Sequence, residues 1–370
     1  MEANASNITI EIPASLSSMP LSRATHIIGL IVLPIILLCG TFGNVMTILI
    51  MNRLRNTVSS MSVYFIALAV SDLLFIYTVV MRMLIFMNFS YDYFTISTAV
   101  CKIGAFLLYV TGVTSAWILV TMTMQRAASV LWPHRVNVLC TRRKSIFTVM
   151  GMVLFIACIH SHFLYGADLV QTRNGTLTFC IPSTAKYQEF ISNVWSWVDL
   201  LIFSILPILF LIISNGLLVQ KLTTSVREAN LELSSGQSGL AKRRQKKVSS
   251  VTLTLVTVSI IFIILCLPLS LYVLLNDFLF EKIKDEHINS RSLRNFIFGI
   301  INSLWFCNSA VNFYLYCLTG SKFRTECLRV LTFNKFPRRK QNAVNESRST
   351  HFSDVNPTNS NNASYATHDF

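Results

Sequence analysis

Seven long apolar runs constrain this chain more than any other feature. They fall at about 27–51, 59–86, 101–131, 145–166, 195–221, 247–276 and 294–318. Each reaches the roughly 18 residues that let a helix cross about 30 Å of hydrocarbon. The expected fold is all-α, a seven-transmembrane helix bundle, with the two termini on opposite sides. Composition agrees, because 53% of the 370 residues are hydrophobic and only 13% are charged, which a water-soluble globule would not normally show.

The basic residues set the orientation. Most of the 31 Lys and Arg lie in the connections after spans 1, 3 and 5 and in the C-terminal tail, segments that the positive-inside rule assigns to the cytosol. An extracellular N-terminus and a multi-pass plasma-membrane protein follow. The first 25 residues are polar and Ser/Asn-rich, with no signal-peptide pattern, so the first span is expected to do the targeting. The net charge of +14 is then a cytosolic excess facing anionic lipid and acidic partners, and nucleic acid is not an expected partner.

Glycan sequons at Asn4, Asn7, Asn88 and Asn174 fall on the outer side, whereas Asn345 and Asn362 fall inside, where they should be inert. Of nine cysteines, only Cys101 and Cys180 fall in oxidising surroundings, which allows one bridge. The other seven read as small apolar side chains or reduced thiols.

Along the chain we expect an outer tail over 1–25, a membrane domain over 26–331 and a disordered, Asn/Ser/Thr-rich cytosolic tail over 332–370. The segment "LELSSGQSGLAKRRQKK" (231–247) reads as a mobile loop turning into a basic helix start. "TGSKFRTECLRVL" (319–331) alternates basic residues with Phe323, Leu328 and Leu331, as a short amphipathic helix on the inner leaflet would. Between Gln171 and Pro182, Asn-Gly flanked by Thr, Leu and Phe predicts a β-hairpin in the second outer loop.

Polar groups inside the spans need a partner or a job, since a charge at mid-membrane costs roughly 2.5 to 3.5 kcal/mol. Asp72, in "LAVSDLL", is the clearest case. Asn308 and Asn312 lie four apart in span 7 and share a helix face. Ser115 lies about three turns before Arg126 on the same face of span 3. With Asn44 of span 1, these groups can meet around Asp72. A carboxylate among neutral oxygens suits Na⁺ or a proton; a hydrogen-bonded network without an ion is the alternative. His160 and His162 are two apart and face different sides of span 4, and no His/Cys/Asp cluster has metal-ligand spacing.

Taken together, "GNV" with Asn44, "LAVSDLL" with Asp72, Cys101 placed 25 residues before Arg126, Pro207, "FIILCLP" with Phe262 and Pro268, and "NSAVNFYLY" with Asn308, Asn312 and Tyr316 resemble the signature set of rhodopsin-like G-protein-coupled receptors. "NFYLYCLTGSKFR" is similar to invertebrate neuropeptide receptors of the FMRFamide-like sort. The resemblance implies a receptor, not an enzyme. In it, Arg126 meets a heterotrimeric G protein, and Phe262, Pro268 and Tyr316 belong to the switch. Asp72, Ser115, Asn308 and Asn312 form an allosteric sodium pocket, with no other cofactor. Cys101 and Cys180 tie the second outer loop to span 3. Arrestin and a receptor kinase are implied partners of the C-terminal tail, and membrane lipid surrounds the spans.

Departures from the family pattern bear on mechanism. Gln125 and Ala127 replace the acid and the Tyr that flank the family's Arg, and "RRQKKV" at the start of span 6 offers no carboxylate. Cys266 stands in place of the span 6 Trp, Phe313 in place of the span 7 Pro and Asn215 in place of a span 5 Tyr. Span 4 has no Trp. Appreciable ligand-independent signalling is expected from the missing clamp on Arg126.

Leu108 stands where an amine receptor would carry Asp, and Phe306 where an opsin would carry Lys, so neither ligand class is expected. The remaining outer residues are Arg82, Tyr109, Trp195, Asp199, Tyr272, Asn302 and Trp305. A cation and an anion on opposite walls, with aromatics between, would suit a short peptide. A seven-span transporter or ion channel is the alternative, although neither an internal repeat nor paired broken helices are visible.

Overall fold

In lipid every backbone N–H and C=O must be satisfied within the protein, which leaves helices as the way for these apolar runs to cross. The computed structural model describes residues 20–54, 59–135, 140–171, 178–234, 240–281 and 288–332. Among them stand seven helices long and apolar enough to span a membrane: Arg23–Leu54, Ser60–Phe89, Thr98–Leu131, Arg142–Gly166, Ala185–Lys221, Thr252–Leu275 and Leu293–Thr319, here spans 1 to 7. They lie on the seven expected windows.

Local chemistry fixes several of their ends. Ser97, Thr141 and Thr184 each accept a hydrogen bond from the backbone N–H three residues on, at 3.3, 3.4 and 3.2 Å, and so cap spans 3, 4 and 5. Span 2 stops at Ser90, the one described non-glycine residue with positive φ, at 52°.

Span 1 illustrates how its sequence divides lipid from core. Ile27, Ile31, Ile35, Leu38, Phe42, Val45 and Leu49 recur every three or four residues and are exposed, while Leu33, Ile36, Met46, Ile50 and Leu54 are buried. Gly40 lets span 7 come close, because a Cβ there would lie 3.2 Å from that of Ala310 and 2.5 Å from Ile76 Cδ1. That closeness lets Asn44 Nδ2 donate to both Gly40 O at 2.9 Å and Ser309 O at 2.8 Å.

Span 5 contains two wide π-turns, Ile191–Trp195 and Leu201–Ile205, and span 2 one, Ile76–Val80. The second turn of span 5 presents the carbonyl of Ile202 to span 3, where Trp117 Nε1–H donates to it at 2.9 Å.

Over the outer end lie two antiparallel strands, β1 (Ala167–Gln171) and β2 (Thr178–Pro182), with Leu169 opposite Cys180. Cys180 is disulfide-bonded to Cys101 at the start of span 3. The hairpin is thus anchored to the bundle; its Asn-Gly turn lies outside the described residues.

After span 7 the chain turns at Gly320, where a Cβ would sit 2.8 Å from Tyr316 O, into a helix over Ser321–Leu331. Arg324 Nη1 donates back to Cys317 O and Leu318 O at 3.1 and 2.7 Å, satisfying span 7's last carbonyls. Phe323 does not join Leu328 on the lipid face as expected. It is buried against Phe313 and Tyr316, whereas Leu328 is exposed.

The unit holding the spans runs to Leu328, and residues 329–370 form a second unit. Helix already begins at Pro20, inside the expected outer tail. The helix of span 5 runs on to Ser234 and the next begins at Leu240, so 231–234 and 240–247 of the expected loop are helical and the residues between them lie outside the described residues. The expected disordered tail, and Asn4, Asn7, Asn174, Asn345 and Asn362, lie outside the described residues. Asn88 is exposed in the last turn of span 2, and its Nδ2 donates to Leu84 O at 2.8 Å.

Candidate ligand cavity and intramembrane switch

Asp72 is 1% exposed in span 2 and is served by two neighbouring helices. Ser115 Oγ of span 3 donates to its Oδ1 at 2.8 Å, and Asn312 Nδ2 of span 7 donates to its Oδ2 at 2.9 Å. One turn above, Ser71 Oγ donates to Thr111 O at 3.0 Å. Asn44 bonds to span 7 backbone rather than to the carboxylate. Asn308 is half-buried and has no hydrogen bond to Asp72.

Toward the inner end, Arg126 Nε and Gln125 Oε1 are buried and find no hydrogen-bond partner among the described residues. The Tyr316 hydroxyl is likewise buried and unpartnered there, its ring packed edge-on against Phe65 and Phe323 at 4.7 and 5.6 Å. Phe262 and Cys266 are buried in span 6, six and two residues before Pro268. Ser204 and Ser270 hydrogen-bond to each other and join spans 5 and 6. Phe313, in the place of the family Pro, packs on Phe42 at 5.7 Å and lies over Gly43, whose Cβ would be 2.9 Å from it.

At the outer end Arg82 is not free to face a ligand. Its Nε and Nη2 donate to the two oxygens of Asp92 at 2.8 and 2.5 Å. Its guanidinium lies 3.9 Å over the Phe94 ring, and Phe94 in turn fills the space where Gly104 lacks a Cβ. The expected cation on the wall opposite Asp199 is therefore paired with Asp92 of the loop after span 2. Beside it, the Tyr93 hydroxyl donates to Thr78 O at 2.8 Å; burial, with Asp92 adding and Arg82 opposing, raises its pKa.

Between spans 3, 5, 6 and 7 is a cavity of about 60 Å³ lined by Leu108, Tyr109, Gly112, Val113, Asp199, Phe203, Leu269 and Trp305. Tyr109 stacks on Phe163 at 4.2 Å and 9°. Trp305 meets Phe75 and Phe203 edge-on at 4.9 and 5.6 Å. Asp199 Oδ1 lies 3.8 Å from Nε2 of His160, itself 1% exposed. Neither atom has a hydrogen bond among the described residues.

The other expected pocket residues fall elsewhere. Trp195 is buried between His160 and His162 rings, at 5.3 and 4.0 Å, and is not among the residues lining the cavity. Tyr272 packs on Phe298 at 5.3 Å. Asn302 donates to Phe298 O at 2.9 Å and lines a separate, largely apolar cavity of about 350 Å³ between spans 1, 2 and 7, with Leu33, Met83, Met87 and Phe306.

Residues 43–316 match the family described as 7 transmembrane receptor (rhodopsin family). The chain belongs to that family. Similar proteins include a neuromedin U receptor homolog of Caenorhabditis elegans, 25% identical over 90% of this chain and 86% of that protein. The FMRFamide receptor of Drosophila melanogaster is 26% identical over 77% of this chain and 50% of that protein. Human cysteinyl leukotriene receptor 1 is 24% identical, over 52% of this chain and 56% of that protein. The family is one of signalling receptors, which sets aside both an enzyme and the transporter or channel alternative.

Within this receptor, sequence reasoning missed several working pairs. Asp92 carries no motif, and Trp117 reads as one more apolar residue until the wide turn in span 5 offers it a carbonyl. His160 has only His162 near it in sequence, two residues away. Its partner across the bundle, Asp199, is 39 residues on and visible only in the fold. Among the described residues no group of three or more His, Cys, Asp or Glu side chains could hold a metal ion.

Proposed function

We propose that this receptor sits in the plasma membrane with its N-terminus outside, binds a short extracellular peptide, and passes that event to a heterotrimeric G protein. The observation that carries the reading is the likeness to a neuromedin U receptor homolog over nearly the whole of both chains. The cavity that opens among spans 3, 5, 6 and 7, near the hairpin tied to span 3, supports it. Ligand acts by binding one of two helix arrangements more tightly and shifting their populations.

Movement is transmitted through packed contacts. Trp305, between Phe75 and Phe203, links the cavity floor to spans 2 and 5. The Ser204–Ser270 bond couples span 5 to span 6, where Phe262, Cys266 and Pro268 repack. Displacement of span 6 then exposes Arg126 to the G protein's C-terminal helix. The donor set around Asp72 fits a sodium ion in kind, with a carboxylate, the Ser115 hydroxyl and the amide oxygens of Asn308 and Asn312. Bound there, the ion would supply positive charge that favours the resting arrangement. Asn4, Asn7, Asn88 and Asn174 carry glycan, and the C-terminal tail meets receptor kinase and arrestin.

A lipid mediator is the second reading, favoured by the apolar cavity between spans 1, 2 and 7 and its fit to an alkyl chain. Both are tested by screening neuropeptide pools and lipid-mediator pools on cells expressing the full chain, reading calcium and cyclic AMP. A response to peptides alone supports the proposal. A response to lipids alone replaces it.

A further inference from the structure

We propose that Asp199 is the counter-ion for a positively charged N–H donor on the ligand, a guanidinium or ammonium head seated between Tyr109 and Trp305. The inference rests on the peptide-receptor reading for its choice of probe, not for its geometry.

The lining of the cavity contains one charged group, the Asp199 carboxylate, among apolar and aromatic side chains. That carboxylate is 27% exposed and accepts no hydrogen bond from any described residue. An ionised carboxylate in such surroundings is costly unless it is paired. Among the described residues no cation is hydrogen-bonded to it. Arg82 is spent on Asp92. His160, buried behind Asp199, makes its hydrogen bond through Nδ1, which lies 2.8 Å from Ile156 O. A carbonyl can only accept, so Nδ1 carries a proton. His160 Nε2 stands 3.8 Å from Asp199 Oδ1, beyond hydrogen-bond reach.

With no cation hydrogen-bonded to Asp199 among the described residues, the cavity has room for one that a ligand supplies. About 60 Å³ is the space of roughly two waters, which suits a cationic head and not a whole peptide; the remainder of the ligand would lie above it. The rings of Tyr109 and Trp305 line the same space, and aromatic rings of this kind attract a cation placed over a face.

The test uses the full-length receptor and pairs of probes that differ only in charge. N-acetyl-arginine amide and its neutral isostere N-acetyl-citrulline amide are added to receptor in nanodiscs, and the thermal midpoint is read. Peptide libraries carrying arginine or citrulline at each position are scored for calcium response. We expect the arginine probe alone to raise the midpoint, and arginine peptides to be at least about ten-fold more potent, as a desolvated charge pair can deliver. Asp199→Asn should remove both differences, and His160→Gln should keep them.

If the arginine probe at saturation shifts nothing, or shifts Asp199→Asn equally, the proposal falls. If peptides activate without regard to charge, the cation site falls and the peptide reading stands. If the probe binds through Asp199 but no peptide activates, the peptide reading falls and the cation site stands. A preference absent from the wild type but created by His160→Gln would mean that His160 already holds the compensating charge, which also overturns the proposal.

Discussion

Asn312 of span 7 reaches across 240 residues of sequence to donate to Asp72 Oδ2 at 2.9 Å, while Ser115 of span 3 serves Oδ1 at 2.8 Å. One carboxylate thus holds three spans together. Replacing Asn312 by Leu leaves an oxygen of a buried acid without its donor, a loss of about 1.5 to 3 kcal/mol. The thermal midpoint of purified receptor should fall accordingly. Exchanging the partners, Asp72→Asn with Asn312→Asp, keeps one acid and one amide in contact and should recover most of the loss. A double variant no better than the worse single one would show that the pair is not what joins the spans.

Arg126 offers a second test. Its Nε is buried without a partner, beside a Gln125 whose Oε1 is also unpartnered among the described residues. A Glu at position 125 would place an anion next to the guanidinium and favour the arrangement in which Arg126 is held back. Gln125→Glu should therefore lower agonist-free second-messenger output, and Arg126→Ala should abolish coupling with surface expression intact. The first expectation fails if wild-type output equals that of untransfected cells, or if Gln125→Glu raises it.

The outer loop between spans 2 and 3 hangs on the Arg82–Asp92 pair, whose side chains are 25% and 21% exposed. Both hydrogen bonds are charge-assisted and the geometry is two-pronged, yet partial exposure screens the pair, so a contribution of about 1 kcal/mol is expected. Asp92 also accepts from Phe94 N at 3.0 Å. Asp92→Asn should speed amide hydrogen exchange over residues 93–96 more than it lowers global stability. Uniform protection in that loop would contradict this.

What was legible in the sequence follows from the range of the forces involved. The seven spans were readable because hydrocarbon imposes length and apolarity on each helix separately. Asp72, Asn312 and Ser115 were readable because a polar group in an apolar run stands out locally. The pairing of Arg82 is not legible because Asp92 lies in a loop with no periodicity, nor is the burial of Phe323, because a small amphipathic helix does not reveal which apolar side chain turns inward. Trp117 and His160 were invisible for a related reason: their significance depends on a carbonyl and a carboxylate brought near only by packing.

Trp117 provides the most discriminating packing test. Its Nε1–H donates to Ile202 O at 2.9 Å, and its ring lies 5.9 Å from Phe210. Trp117→Phe keeps an aromatic ring in the interface between spans 3 and 5 but removes the donor, so the loss should be about 0.5 to 1.5 kcal/mol. Trp117→Ala removes the ring as well and should cost about 3 to 5 kcal/mol. Midpoints measured side by side separate the two contributions. Because the hydrogen bond ends on the wide turn Leu201–Ile205, just before the Ser204–Ser270 link, the Phe variant should also change agonist-free signalling beyond its effect on stability. If both substitutions cost the same, the hydrogen bond and not the ring holds span 5 in place. If Trp117→Phe leaves both readouts unchanged, the turn does not depend on Trp117.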